Sequence, residues 1–342
     1  MCGCFRLVDT ERVIILLLVE ELSSSNTNIT YHLESNTMST NNIEAAEADM
    51  ICCASCGVAE VDDIKLMKCA DCDLVRYCSD KCQEEHRLKH KRACEKRAAE
   101  LRDEVLFQQP ESSDLGDCPI CLLPLSIDAK KSTLMACCSK IICDGCSYTN
   151  TLREMVQKLQ QICPFCRHPV PTTKEESDAN AMKRVEANDP VALREVGKRY
   201  YHEGDYSCAF EYYTKAAKMG DVGAHVLLSF LYHDGKGVEK DEKKELHHLE
   251  EAAIAGHPVA RYNLACYEEG FKRFDRAVKH LIIAANLGQD DSIRALKRCY
   301  TAGVVSKEDF AAALRAHQAA VDATKSPQRE AAAKFMAAGE MR

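Results

Sequence analysis

Between residues 188 and 320 the apolar positions fall at helical spacing, and the pattern repeats. The units open on Asn188-Asp-Pro-Val-Ala192, Gly220-Asp-Val-Gly-Ala224, Gly256-His-Pro-Val-Ala260 and Gly288-Gln-Asp-Asp-Ser292, at offsets of 32, 36 and 32 residues. A tyrosine follows in each unit (Tyr200, Tyr232, Tyr267, Tyr300), then a glycine (Gly204, Gly235, Gly270, Gly303). The first three units close on an alanine pair: Ala216-Ala217, Ala252-Ala253 and Ala284-Ala285. Two amphipathic helices in a period of this length predict an α-solenoid, in which each helix pair buries its apolar stripe against its neighbours. The glycines supply the turn between helices, and the alanines let neighbouring helices approach closely. The extra length of the second unit falls in the loop Asp234–Asp241. Cys208, Cys266 and Cys299 lie on these helices and are expected in the core.

Elsewhere the periodic signal is short. Leu101, Val105 and Leu106 are helically spaced inside the charged stretch 95–117, which reads as a helical linker fraying at Pro110–Gly116. Residues 170–187 begin Pro-rich, continue with the charged run Lys174–Glu176, and read as a linker; residues 321–342 read as a tail. Residues 1–51 read as an extension, polar and without stable structure from Ser23 to Asp49. Its apolar run Val13–Val19 is too short to span a bilayer and follows Asp9 and Glu11, the wrong flank for secretion. The run is a short strand or helix, or lies upstream of a later start at Met38 or Met50. No membrane span is expected. Cys2 and Cys4 read as unligated thiols rather than lipid anchors.

Cysteine changes the picture. Of 21 cysteines, 18 precede residue 167, most of them in 52–94 and 118–169. Cys-x2-Cys pairs recur, with Cys-x3-Cys and His-x3-Cys. Two thiolates two residues apart on a tight turn grip one tetrahedral zinc, whereas disulfide frameworks carry no such pairing and seldom recruit histidine. Metal and a reducing compartment, cytoplasmic or nuclear, follow. A net charge of −8 makes nucleic acid an unexpected partner. The basic run Arg87–Arg97 is read as the solvated face of a ligand-bearing helix.

The first cluster offers Cys53, Cys56, Cys69, Cys72, Cys78, Cys82, His90 and Cys94, enough for two zinc ions. Cys52 is an alternative to Cys53, and His86 reads as a surface residue. From Ser79 onward the segment is compatible with a helix, which puts Cys78 and Cys82 one turn apart, and likewise His90 and Cys94. The sequence CADC…RYCSDKCQEEHRLKHKRAC resembles a MYND finger at all eight ligand positions. The resemblance implies interleaved pairs: Cys53, Cys56, Cys78 and Cys82 on one zinc, Cys69, Cys72, His90 and Cys94 on the other. MYND fingers usually carry a tryptophan five residues after the sixth ligand, part of a peptide-binding surface; that position here is Arg87.

The second cluster offers Cys118, Cys121, Cys137, Cys138, Cys143, Cys146, Cys163 and Cys166. The segment CPIC…CCSKIICDGC…CPFCRHP resembles an all-cysteine RING finger. The cross-brace of that family implies Cys118, Cys121, Cys143 and Cys146 on one zinc, and Cys137, Cys138, Cys163 and Cys166 on the other. Where RING fingers usually place histidine stands Lys140, so the vicinal pair Cys137-Cys138 supplies the ligands; His168 is the alternative if only one of the pair binds. The resemblance further implies a surface for a ubiquitin-conjugating enzyme at Ile120, Pro164 and Arg167, the last presenting a planar fork of donors. The repeats resemble Sel-one-like repeats, relatives of the tetratricopeptide repeat, whose stacked helices bind proteins. The expected fold is small zinc-stabilised α+β modules plus an all-α helical-repeat solenoid. It would hold four zinc ions and act as a protein-interaction adaptor of RING-ligase type, with a substrate on the repeats; a non-enzymatic scaffold is the alternative.

Overall fold

The computed structural model describes residues 51–61 and 63–338. Val13–Val19, Cys2 and Cys4 lie outside the described residues. The first module holds a two-stranded antiparallel hairpin, β1 (Met67–Lys68) with β2 (Arg76–Tyr77), in which Met67 faces Tyr77. It leads into α1 (Asp80–Leu106), where the Ser79 side chain caps the helix by accepting from the Cys82 N–H. At 27 residues, α1 extends about 40 Å. It carries Cys82, His90 and Cys94 within its first fifteen residues and continues twelve residues beyond them.

The second module holds the hairpin β3 (Ser132–Met135) with β4 (Lys140–Cys143), followed by α2 (Asp144–Gln157). Ile142 and Leu125 form its small apolar core beneath Cys118, Cys143 and Cys146. Glu154 of α2 is buried because it has a task there. Its carboxylate accepts from Asn150 Nδ2 (2.8 Å) and from the Ile162 N–H (3.1 Å), tying the helix to the last Cys-x2-Cys turn.

The remaining helices are α3 (Lys174–Glu186), α4 (Pro190–Glu203), α5 (Tyr206–Lys218), α6 (Val222–Asp234), α7 (Glu242–Ile254), α8 (Pro258–Gly270), α9 (Phe274–Asn286), α10 (Asp290–Thr301), α11 (Lys307–Ala323) and α12 (Pro327–Ala337). The pairs α4/α5, α6/α7, α8/α9 and α10/α11 stack in order, which is a solenoid. Each unit begins as its motif requires. Asn188, Gly220, Gly256 and Gly288 all take a left-handed φ, and the next residue caps the following helix in the first three units, through Asp189, Asp221 and His257. Of the alanine pairs, Ala216, Ala252, Ala253, Ala284 and Ala285 are fully buried. In the third unit Gly270 stays within α8, and Lys272 takes the left-handed turn instead. Cys266 and Cys299 are half-buried, and burial pushes both thiols up to about 11. Cys208 differs from the expected core position: it sits in the first turn of α5 beside the capping Asp205.

Three stretches read as linker or tail are built into the fold. In 170–187, Thr173 caps α3, Val185 packs against the first repeat core, and Arg199 pairs with Asp178. In 95–117, α1 runs on to Leu106, which is 1 % exposed and packs among Leu249, Ala252, Ala253, Ala260 and Leu264. Buried Arg261 of α8 donates to the carbonyls of Leu106 and Gln108, and Arg276 of α9 pairs with Asp103. Arg261 thus sets a cation at the negative end of the α1 dipole, whose own last turn has no basic residue. In 321–342, α12 packs along α2 of the second module, with Tyr148 and Phe335 rings 5.0 Å apart. Among the described residues no helix is long and apolar enough to cross a membrane.

Candidate metal centres

One local device recurs at four of the five Cys-x2-Cys pairs, the exception being Cys143 and Cys146 at the start of α2. The residue after the second cysteine takes a left-handed φ, at Gly57, Asp73, Leu122 and Arg167. Its N–H turns back to the carbonyl of the first cysteine, at 2.9, 3.0, 2.9 and 2.8 Å in that order. The turn aims both sulfurs to one side. Only one of these four positions is glycine, so the strain of φ > 0 is accepted at an aspartate, a leucine and an arginine in order to hold the knuckle. The vicinal pair uses the same turn one cysteine short. The Ser139 N–H bonds the Met135 carbonyl (2.8 Å) and Ser139 is left-handed, so Cys138 stands in the second-cysteine position with Cys137 just before it.

These turns, the hairpins and the helix starts bring the candidates into four groups. They are Cys53/Cys56/Cys78/Cys82, Cys69/Cys72/His90/Cys94, Cys118/Cys121/Cys143/Cys146 and Cys137/Cys138/Cys163/Cys166, each with four donor atoms within 4.8 Å of one another. Both modules therefore have cross-braced pairing, and both vicinal cysteines join one group. Cys52 and His168 belong to none of the groups. His168 instead uses its backbone carbonyl, which accepts the Cys163 N–H at 2.7 Å.

The spacings suit zinc. A Zn–S bond of about 2.3 Å in a tetrahedron gives a sulfur–sulfur edge of about 3.8 Å. Cross-brace contacts include Cys56–Cys78 at 3.5 Å, Cys69–Cys94 at 3.6 Å, Cys118–Cys146 at 3.9 Å, Cys121–Cys143 at 3.7 Å and Cys138–Cys163 at 3.9 Å. The Cys72 sulfur and His90 Nε2 lie 3.1 Å apart. No disulfide joins any of the described cysteines. The thiols are coupled: the backbone N–H of Cys56 brings Cys53 down to about 6, while other thiols in the clusters are pushed up. The sulfurs of Cys56 and Cys82 push Cys78 up to about 12, and burial with the neighbouring sulfurs pushes Cys94 up to about 12. Four thiolates cannot share so small a space without a cation among them. Four protein donors each complete a tetrahedron, as in structural rather than catalytic zinc sites. Among the described residues the protein thus has four Cys/His clusters able to hold zinc.

Sequence reasoning missed two neighbours of these clusters. His86, read as a surface residue, is half-buried: its Nδ1 is 3.2 Å from the Tyr77 hydroxyl and its ring stacks on His90 at 5.8 Å. Its position one turn from both Cys82 and His90 was the available signal. Arg329 reaches the sulfur of Cys121 from α12 (3.4 Å), and no local pattern could have announced it. The residues implied for a conjugating enzyme lie on the first and last knuckles of the second module. Ile120 is 40 % exposed and its neighbour Leu122 is 73 % exposed. Pro164 is half-buried, and Arg167 is exposed.

Comparison with known proteins agrees with this division. The MYND finger family matches residues 53–94, and the Sel1 repeat family matches residues 190–221, 222–257 and 258–289. The chain therefore carries a MYND finger and three Sel1 repeats, with α10 and α11 extending the stack beyond them, and its second cysteine cluster has a RING-like cross-brace. No curated protein matches the chain. Among solved structures, a Sel1 repeat protein from Oxalobacter formigenes is similar at 20 % identity, over 50 % of this chain and 70 % of that one, with a TM-score of 0.39. Another is c5321, a protective antigen present in uropathogenic Escherichia coli strains displaying an SLR fold. It is similar at 22 % identity, over 49 % of this chain and 36 % of that one, with a TM-score of 0.34.

Proposed function

We propose that the protein is a zinc-stapled interaction adaptor, in which two cross-braced modules and a helical solenoid dock onto protein partners. The observation that carries this reading is the closure of all four clusters by four protein donors each, which assigns zinc to shape rather than to chemistry. The proposed ligands are the sixteen residues of those groups. Elemental analysis of the purified chain should give four zinc ions per molecule; two or fewer would refute two double-zinc modules.

The exposure of Ile120, Leu122 and Arg167 favours a second reading, ubiquitin ligase of RING type. Such a module makes and breaks no bond itself. It holds a conjugating enzyme and its thioester-linked ubiquitin in a reactive pose, so the gain is one of orientation. Ile120 and Pro164 would supply apolar contact to the conjugating enzyme, and Arg167 would bridge the two partners with its fork of donors. The repeats would then hold the substrate. The deciding measurement is ubiquitin discharge from a broad panel of conjugating enzymes. Under the ligase reading Arg167→Ala slows discharge about ten- to a hundred-fold, as loss of one charge-assisted hydrogen bond acting in the transition state would, with zinc content unchanged. A fully zinc-loaded wild type that stimulates no enzyme in the panel leaves the adaptor without ligase activity.

A further inference from the structure

Zinc held by four thiolates carries roughly two excess negative charges, whereas three thiolates and a neutral imidazole leave roughly one. Burial makes that excess costly unless nearby donors or cations offset it. The two most enclosed clusters are Cys69/Cys72/His90/Cys94 and Cys118/Cys121/Cys143/Cys146, each with three buried donors. The first relieves its charge with His90. The second has four sulfurs and no such relief from its own ligands.

A cation reaches it from the far end of the chain. Arg329, in the first turn of α12, donates through Nη2 to the Cys121 sulfur (3.4 Å) and to the Leu123 carbonyl (3.1 Å). Its Nη1 donates to the Pro124 carbonyl (2.6 Å) and to the Thr324 carbonyl (2.7 Å). One guanidinium therefore touches a ligand sulfur, the two residues after the knuckle, and its own helix entry. In the other three clusters, among the described residues, no cationic side chain donates to a ligand sulfur. The approach depends on Gly145, between the ligands Cys143 and Cys146. A Cβ there would meet Arg329 Cγ and the Arg329 backbone nitrogen, each at 2.8 Å. Further along, Ala332 is fully buried and Phe335 lies against Tyr148, so the helix is fixed by packing as well as by the arginine.

We propose that α12 is a working part of this zinc centre: Arg329 is a positioning residue that offsets the charge of the tetrathiolate and pins the 121–124 knuckle, slowing loss of the metal. The proposal rests on zinc filling the cluster and is independent of ligase activity. A planar fork is needed to bond sulfur and carbonyls together, so lysine should replace it only in part.

The test is zinc release from the full chain into a chromophoric chelator, with the order of cysteine exposure mapped by alkylation and mass spectrometry. In Arg329→Ala one zinc of the four should leave about ten- to a hundred-fold faster, the usual effect of removing a partner that orients a metal ligand. Cys118, Cys121, Cys143 and Cys146 should be the first cysteines alkylated. Arg329→Lys should fall between Ala and wild type. Gly145→Ala gives an independent arm: the three atoms nearest its added methyl all belong to Arg329 and Gln328 of α12, so faster release from the same cluster would come from displacing α12. Release of all four zincs at wild-type rates in both Arg329→Ala and Gly145→Ala overturns the proposal. Acceleration of all four together overturns it too, since that marks general unfolding. A wild type with two zincs or fewer defeats the metal reading itself, whereas four zincs with unaltered release defeats only the role of Arg329.

Discussion

At the scale of the residue, the repeats depend on three histidines that stay neutral. His257 fills the capping position that aspartate holds in the two preceding units, and its Nδ1 accepts the Ala260 N–H. Burial brings it down to about 4, and protonation of Nδ1 would abolish the cap. Burial, with the neighbouring His225 and His247, likewise lowers His248 to about 4. His280 is fully buried against Phe107, both its nitrogens lack partners, and burial beside Arg261 and Arg276 lowers it to about 3. All three shifts are downward, so the stability they confer is complete above the ordinary histidine value of 6.5. It falls as acid protonates the unfolded chain first, by about 1.4 kcal/mol per pH unit for each group. His280→Leu should therefore gain about 2 kcal/mol on wild type between pH 6.5 and pH 5, read by denaturant unfolding at both pH values. The comparison cancels acid-driven loss of zinc, which is common to both proteins; parallel pH profiles would show that His280 is not held neutral. The capping position of His257 was legible from the repeat register. The neutrality of His280 was not, because it arises from Phe107, Arg261 and Arg276, which meet it only in the fold.

At the scale of the element, α1 joins two functions that the sequence separates. Its first turns are written by ligand spacing, Cys78 to Cys82 and His90 to Cys94, and those were readable. Its last turn has only a weak apolar signal in Leu101, Val105 and Leu106, too short to show whether it faced solvent or a partner. The answer lies in Arg261, 155 residues after Leu106, whose guanidinium closes the end of the helix. The same holds for α12: cap and composition allow a helix, but the surface that receives it, on α2, is distant in sequence, whereas α3 packs on its immediate successor α4. Because Leu106 fills a cavity between α7 and α8, Leu106→Ala should destabilise the repeat transition by about 2–5 kcal/mol. Arg261→Met should also destabilise it, by leaving the carbonyl of buried Leu106 without its donor. Urea titration followed by circular dichroism reads both. Wild-type midpoints would mean that α1 does not pack there in solution.

At the scale of the whole molecule, two kinds of stability meet in one chain. The modules have small apolar cores and depend on metal, each structural zinc contributing about 10 kcal/mol or more to folding. The solenoid is held by nearest-neighbour packing of helix pairs and needs none. The segments 95–117 and 321–338 couple the two, since α1 leaves a zinc module to pack on α7, α8 and α9, and α12 returns from the repeats to the second module. A strong chelator should therefore unfold residues 52–94 and 118–166 while most helical signal persists, because the repeats keep their own core. Residues 188–320 alone should be mainly helical and indifferent to chelator. They should nevertheless melt below the repeats of the intact protein, because Leu106, Phe107 and the α3 face no longer cover them. Intact protein, treated with chelator, should then melt between the two: the zinc modules are gone, but the Leu106 segment remains tethered beside its pocket, and its local concentration drives it back. Circular dichroism melts of the three samples test this order. Helicity of 188–320 abolished by chelator would remove the solenoid's independence of metal. Equal melting of the fragment and the intact chain would remove the coupling through α1 and α3, leaving modules and repeats as neighbours with no energetic connection.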